Sequence, residues 1–237
     1  MTAPRRLPGG GWLALIGGGE FTFEETLDAD SAWLEKIPPE RAGDPVGFVP
    51  AASGSVEYGE HFTTYLAEVF ERDVVTIPIY RARDARRGKN LERLEGCSAV
   101  YLGGGVTDHL LGALADSPVA ETLARSLASG AVVVAIAAAA QALGAAARSI
   151  RPGETLPGLG WLPGGVVEPN FDPGHDRRLR RLLQAPGARW GLGLPAGSCL
   201  LLGPDGAAEV VGEAWTLDDS DGELEPYGPA EPEPELP

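Results

Sequence analysis

The sequence lacks the materials from which several common kinds of protein are built. Two cysteines in 237 residues, Cys97 and Cys199, cannot form a disulfide framework, which points to a reducing, cytoplasmic compartment. Three histidines, His61, His109 and His175, stand far apart and share no metal-ligand spacing with either cysteine, so no metal is expected. Basic residues are scarce, 19 against 34 acidic ones, for a formal charge of −15. That balance removes the attraction to phosphate on which nucleic-acid and anionic-membrane binding rest. Long apolar runs are missing too. Ala131–Ala140 is mostly alanine and about half the ~20 residues that span a bilayer. Residues 1–11 carry Arg5 and Arg6 without a following apolar stretch, so no signal peptide is expected. Neither a G-x-G-x-x-G fingerprint nor a P-loop lysine pattern occurs, and no nucleotide or other cofactor is expected.

What is present is ordinary globular composition, 43% hydrophobic and 22% charged, in a length that suits one domain with a tail. Eight of the acids fall in residues 218–237 with no base among them. Setting those eight aside brings −15 to −7 for the body. Residues 1–11 read as a loose arm, 12–217 as one α/β domain, and 218–237 as an acidic, proline-rich disordered tail. The tail's functional alternative is recruitment of a basic partner.

Between the ends, short apolar runs alternate with amphipathic segments. Trp12–Ile16, Val46–Pro50, Val74–Ile79, Ala99–Leu102 and Ala131–Ile136 read as buried strands. Residues 57–71, 107–115, 119–129 and 138–147 read as helices. Strands apolar on both faces and separated by helices imply a doubly wound, mainly parallel sheet. In such sheets ligands sit beyond the carboxyl ends of the strands. After Arg151 a basic helix, 177–184, precedes Trp190–Leu194, Cys199–Leu202 and Ala208–Val211, which read as antiparallel strands closing the sheet edge.

Two glycine triplets follow strands: Gly17-Gly18-Gly19 and Gly103-Gly104-Gly105. Glycine there lets backbone N–H groups approach a ligand, so the loops are either an anion cradle or tight turns. Ser53 and Ser55 open a helix, and capping suits them better than catalysis. The stretch Val134–Gln141 has the strand–turn–helix form of a nucleophile elbow. At its turn stand only Ile136, Ala137 and Ala138, none of which offers an attacking oxygen or sulfur.

In their order along the chain these landmarks resemble the cyanophycinase and aspartyl dipeptidase (peptidase E) family of serine peptidases. The likeness runs from Trp12 to Trp215 through Leu15–Glu20, Val49–Ser53 with Glu57-Tyr58, Val100–Leu110, the Arg178–Leu183 helix and Gly191–Leu194. The resemblance implies a flavodoxin-like, class I glutamine amidotransferase-like fold and a homodimer. It also places the catalytic positions. The family's G-x-S-A-G-A elbow falls on Ala135–Ala140, with Ala137 at the serine. Its D-x-H-F segment falls on Glu168–Phe171, with Asn170 at the histidine. An acidic position in its I-D-E-G segment falls on Leu194–Gly197, at Ala196.

Serine hydrolysis needs a hydroxyl, a base and an orienting group; all three are replaced here. Backbone donors at Gly103, Gly104, Gly105 and Ala138 do not depend on side chains and remain as an oxyanion or pocket lining. Gly18, Gly19, Ser53, Glu168 and His175 complete the candidate ligand-binding set. The expectation is a catalytically silent relative that binds a small acidic or peptide-like ligand. Two alternatives stand beside it: an active aspartyl dipeptidase working through unmatched residues (Ser53, Ser55 or Ser198 with His175), and a scaffold that uses its acidic tail.

Overall fold

The computed structural model describes residues 4–6 and 9–228. The amino-terminal half alternates β1 (Trp12–Ile16), α1 (Leu27–Leu34), β2 (Val46–Val49), α2 (Val56–Phe70), β3 (Val74–Thr76), α3 (Gly88–Glu95) and β4 (Ala99–Leu102). Then come α4 (Thr107–Leu114), α5 (Pro118–Ala128), β5 (Val132–Ile136), α6 (Ala138–Ala142), β6 (Ala146–Arg148) and β7 (Thr155–Pro157). The remainder holds β8 (Gly165–Pro169), α7 (Arg177–Leu183), β9 (Trp190–Leu194), β10 (Cys199–Leu202), β11 (Ala208–Val211), β12 (Trp215–Leu217) and β13 (Glu225–Pro226).

The central sheet has the order β11-β10-β1-β5-β4-β2-β3. Its five strands from β1 to β3 run parallel, and β10 and β11 add an antiparallel edge. Residue alternation sends Leu13, Leu15, Val100, Leu102, Val133 and Ala135 to one face. Ala14, Ile16, Tyr101, Val132, Val134 and Ile136 go to the other. Helices cover both faces, and each large apolar side chain buried along β1, β4 and β5 contributes about 1.5–3 kcal/mol. The expected doubly wound α/β class is what the chain adopts. Local signals agree: Ser55 caps α2 by accepting from the Tyr58 N–H at 3.2 Å, and Ser117 caps α5, with Pro118 at its first turn.

The structure corrects four expectations. Trp190–Leu194 does not close the main sheet; it pairs in parallel with β8 in a second sheet, β13-β12-β9-β8, through the α7 crossover. The alanine run beyond Ala138 is helical only to Ala142, after which β6 hairpins with β7; the Ala145 N–H donates to the Gly165 carbonyl at 2.7 Å instead of continuing the helix. Residues 218–228 are held in place, since Glu225 and Pro226 pair with β12 and the Arg180 guanidinium donates to the Ser220 and Gly222 carbonyls at 2.9 Å. At the amino end Arg6 donates to the carbonyls of Leu202, Gly9 and Gly11, and Gly11 donates to Leu127 at 2.8 Å. Residues 1–3, 7–8 and 229–237 lie outside the described part. No described helix is long and apolar enough to cross a membrane.

Under the sheet, Asp30 of α1 is wholly buried. Its carboxyl accepts from the Thr26 hydroxyl (2.7 Å), the Trp33 indole (2.8 Å) and the Tyr65 phenol (3.0 Å). Burial raises its pKa above the ordinary carboxyl value despite those donors. A carboxyl with a raised folded pKa stabilises the fold below the unfolded value near 3.8 and loses that contribution as pH climbs through the folded one. Asp30→Asn also turns a donor toward donors and should cost about 1–2 kcal/mol at pH 5. Denaturant unfolding should show the gap between wild type and Asp30→Asn narrowing from pH 3 to pH 8; a gap that widens with pH contradicts this reading.

Candidate functional site

Strand register assembles the site. Ile16 lies opposite Ile136, and Leu102 opposite Ala135, so β1, β5 and β4 end side by side. Gly17–Gly19, Ala137 and Gly103–Gly105 therefore meet beyond the carboxyl ends, where this class of sheet binds ligands. The second sheet delivers two further segments. Asn170 N–H donates to the Gly17 carbonyl at 2.7 Å, Gly17 N–H to Ser198 at 2.9 Å and Gly197 N–H to Gly18 at 2.9 Å. These bonds fix the ends of β8 and β9 against the end of β1.

At the centre is Ala137, with φ 51° and ψ −112°. A residue with a Cβ rarely takes positive φ, and such strain costs on the order of 1–3 kcal/mol. The bend is held from both sides: Ala137 N–H donates to the Ile16 carbonyl at 2.9 Å, and its own carbonyl accepts from Gln141 at 3.0 Å. The N–H of Ala138 opens α6, where no intrahelical acceptor exists. The turn has the strained strand-to-helix form, and its side chain is a methyl group.

A cavity of about 470 Å³ lies over this bend, and Ala137, Asn170 and Ala196 all line it, with Gly18, Gly19, Gly104 and Gly105. Gly18 has φ 144°, and a Cβ there would lie 2.2 Å from the Asn170 carboxamide oxygen; the loop closes on that side chain only because it is glycine. Asn170 itself has φ 48°. A smaller chamber of about 270 Å³ adjoins, again lined by Ala137 and Asn170, with Ala138, Gln141, Arg148 and Arg178. Glu20 and Glu25 give the larger chamber an acidic wall, whereas Arg148 and Arg178 give the smaller one a basic wall.

The backbone donors are not all free. Gly104 N–H points to the Tyr58 hydroxyl at 3.4 Å. Burial pushes that phenol up to about 12, so it stays protonated and neutral. Gly103 lines neither chamber, because it packs against the Phe48 and Tyr58 rings, each within 2.9 Å of where a Cβ would stand.

Three sequence candidates lie elsewhere. The Ser53 hydroxyl donates to the Pro50 carbonyl at 3.2 Å and closes its own turn. His175 is exposed on a short helical turn, 2.6 Å from Asp172. Glu168 is buried and held by both arms of Arg148 at 2.9 Å. Burial raises its pKa above the ordinary value, and Arg148 opposes that shift without cancelling it.

Arg148 is the residue that the sequence reading missed. An acid inside the apolar strand β8 was the available signal, because a buried carboxylate demands a cation. Beside it the Ser149 hydroxyl donates to Asp108 at 2.7 Å. Burial pulls the Asp108 carboxyl up, but the Ser149 hydroxyl and Ile150 N–H outweigh it and leave the pKa below the usual value. Among the described residues no serine or cysteine bonds to an imidazole. The two cysteines are buried, which pushes the Cys97 thiol up to about 11 and the Cys199 thiol higher still.

The comparisons with known proteins agree with this fold. A model described as Peptidase family S51 matches residues 13–209. The cyanophycinase of Geminocystis herdmanii (strain PCC 6308) is 27% identical over 202 residues, covering 77% of this chain and 71% of that protein. That of Trichormus variabilis (strain ATCC 29413 / PCC 7937) is 27% identical over 183 residues, covering 71% of this chain and 60% of its own length. A peptidase from an acI-B1 Actinobacterium superposes with TM-score 0.73 at 20% identity, over 92% of this chain and 97% of that one. A Listeria monocytogenes EGD-e protein ascribed to peptidase E gives 0.63 at 14% identity, over 86% and 98%. At those identities the two structures speak for the fold.

Two substitutions probe the site's construction. Ala137→Gly relieves the positive φ and should raise stability by about 1 kcal/mol net of the added chain entropy, read as a higher denaturant midpoint; a lower midpoint contradicts strain at the bend. Arg148→Ala leaves Glu168 buried without its cation and should cost about 3 kcal/mol at neutral pH, with part of the loss recovered in Arg148→Ala/Glu168→Gln. A single-variant cost below about 1 kcal/mol would contradict the pairing.

Proposed function

This chain belongs to peptidase family S51, and we propose that it is a member whose crevice binds a small acidic or peptide-like ligand without cleaving it. The observation that carries the reading is the methyl group of Ala137 at the strained bend where the resemblance puts the nucleophile. Around it, the larger chamber is lined by Asn170 and Ala196 and by no serine, cysteine or histidine. A carboxamide does not accept a proton near neutral pH, so Asn170 cannot serve as the base that a hydroxyl would need. Ser149 of the adjoining chamber donates to a carboxylate rather than to a base of suitable pKa.

A ligand pocket is a separate matter from an intact triad, and several features support one. The Ala138 N–H, the glycine loops and the paired acidic and basic walls suit a short zwitterionic molecule, the sort of group a peptide end presents. Likeness to cyanophycinases favours peptide-like chemistry over other small molecules. In enzymes that lose their triad, the remaining backbone donors leave activity some three or more orders below the intact level.

Labelling with a serine-directed phosphonate tests the reading, followed by intact mass. The wild-type chain and Ala137→Ser should both remain unlabelled, because the single variant still lacks a base. Ala137→Ser/Asn170→His should label at least about a hundredfold faster than Ala137→Ser. Labelling of the wild-type chain at any serine would overturn the proposal.

A further inference from the structure

We propose that the cavity between α7 and the loop joining β6 to β7 is a binding site for a small multivalent oxyanion; it adjoins the smaller chamber of the crevice, shares Arg148 and Arg178 with it, and adds Arg151, Arg177 and Arg181. The cavity measures about 660 Å³, within the range of small-molecule sites. Arg148, Arg151, Arg177, Arg178 and Arg181 all line it. Five of the chain's 17 arginines thus converge on one hollow of a protein whose formal charge is −15. Among the described residues its one acidic lining residue, Glu154, stands 3.6 Å from Arg151.

The neighbouring arginine of the same helix makes the contrast. Arg180 points away from the cavity, pairs with Asp176 at 2.7 Å and donates to two carbonyls. The guanidinium groups of Arg177 and Arg181, one turn apart on the face toward the cavity, make no hydrogen bond or ion pair with any described residue. Like charges at that spacing repel, and an anion between them removes the repulsion. Arg148 is held in place by Glu168, so one wall of the site is rigid before anything binds. Guanidinium forks accept planar or tetrahedral oxyanions in bidentate fashion, and several forks around one hollow favour an anion with more than one charged centre. Ile150 is 69% exposed and, with Leu182, supplies apolar surface for the ligand's linking atoms. A large polyanion is disfavoured by the acidic remainder of the surface; a small one enters without meeting it.

This site does not depend on whether the crevice is silent, and neither Arg177 nor Arg181 lines either chamber of the crevice. Calorimetric titration of the full chain at low ionic strength with tripolyphosphate, with citrate and with sulfate tests it. At least one of the first two should bind at one site per chain, about tenfold or more tighter than sulfate. Which of them binds tells a phosphate-type from a carboxylate-type ligand. Arg177→Gln/Arg181→Gln should weaken that binding about tenfold or more. Arg181→Lys, which keeps charge but loses the fork, should weaken it less, and Arg93→Gln on α3 should leave it unchanged. Should the double variant fail to fold, Arg181→Lys must itself weaken binding. No binding by either ligand, equal binding of sulfate, or affinity unmoved by the α7 variants would overturn the proposal.

Discussion

One corner of backbone governs this molecule: the turn at Ala137 between β5 and α6. Because β5 lies between β1 and β4 and ends level with them, the chain must leave the sheet within a residue and start a helix at once. The bonds to Ile16 and from Gln141 hold that residue at positive φ. The candidate site is built around this corner. The glycine loops after β1 and β4 flank it, and the second sheet brings Asn170 and Ala196 to it. Such strain clusters at functional sites; here the residue that bears it carries a methyl group.

The crevice is nonetheless a chemically organised space. Its walls separate charge, with Glu20 and Glu25 on one side and Arg148 and Arg178 on the other, and its floor is backbone. Arg148 links the parts: it neutralises buried Glu168 inside β8 while facing both the small chamber and the arginine hollow. A substitution there would disturb folding and ligand chemistry together, which is why the variants that discriminate between sites lie on α7 instead.

Much of the fold was legible because the five parallel strands are apolar on both faces, a pattern that only burial between helices explains. The class of the sheet, its glycine-rich exits and the elbow's position followed from that pattern. Trp190–Leu194 misled because a short apolar run says nothing about which sheet it joins; its partner β8 hides a glutamate and a proline at its end. The alanine run after Ala138 has high helix propensity, but the bond from the Ala145 N–H to the Gly165 carbonyl overrode it. The acidic stretch after Asp218 looked unable to bury anything, yet Arg180 and β12 hold its first part through backbone atoms, which composition does not reveal. Among site residues, the family's motifs point to Ala137, Asn170 and Ala196, and the structure brings these three to one cavity. Ser53, Glu168 and His175 were proposed from type and position, and their hydrogen bonds turn them to other uses. Arg148 escaped because pairing across 20 residues leaves no local trace.

Turnover by the wild-type protein bears most directly on the central claim. Incubated with Asp-X dipeptides and β-Asp-Arg at neutral pH and followed by release of free aspartate, the purified chain should yield product no faster than the buffer alone, even as the peptides remain intact in its presence. Aspartate released in proportion to protein concentration, and abolished by heat, would show that a nucleophile operates in this crevice after all and that the methyl group at its corner does not silence it.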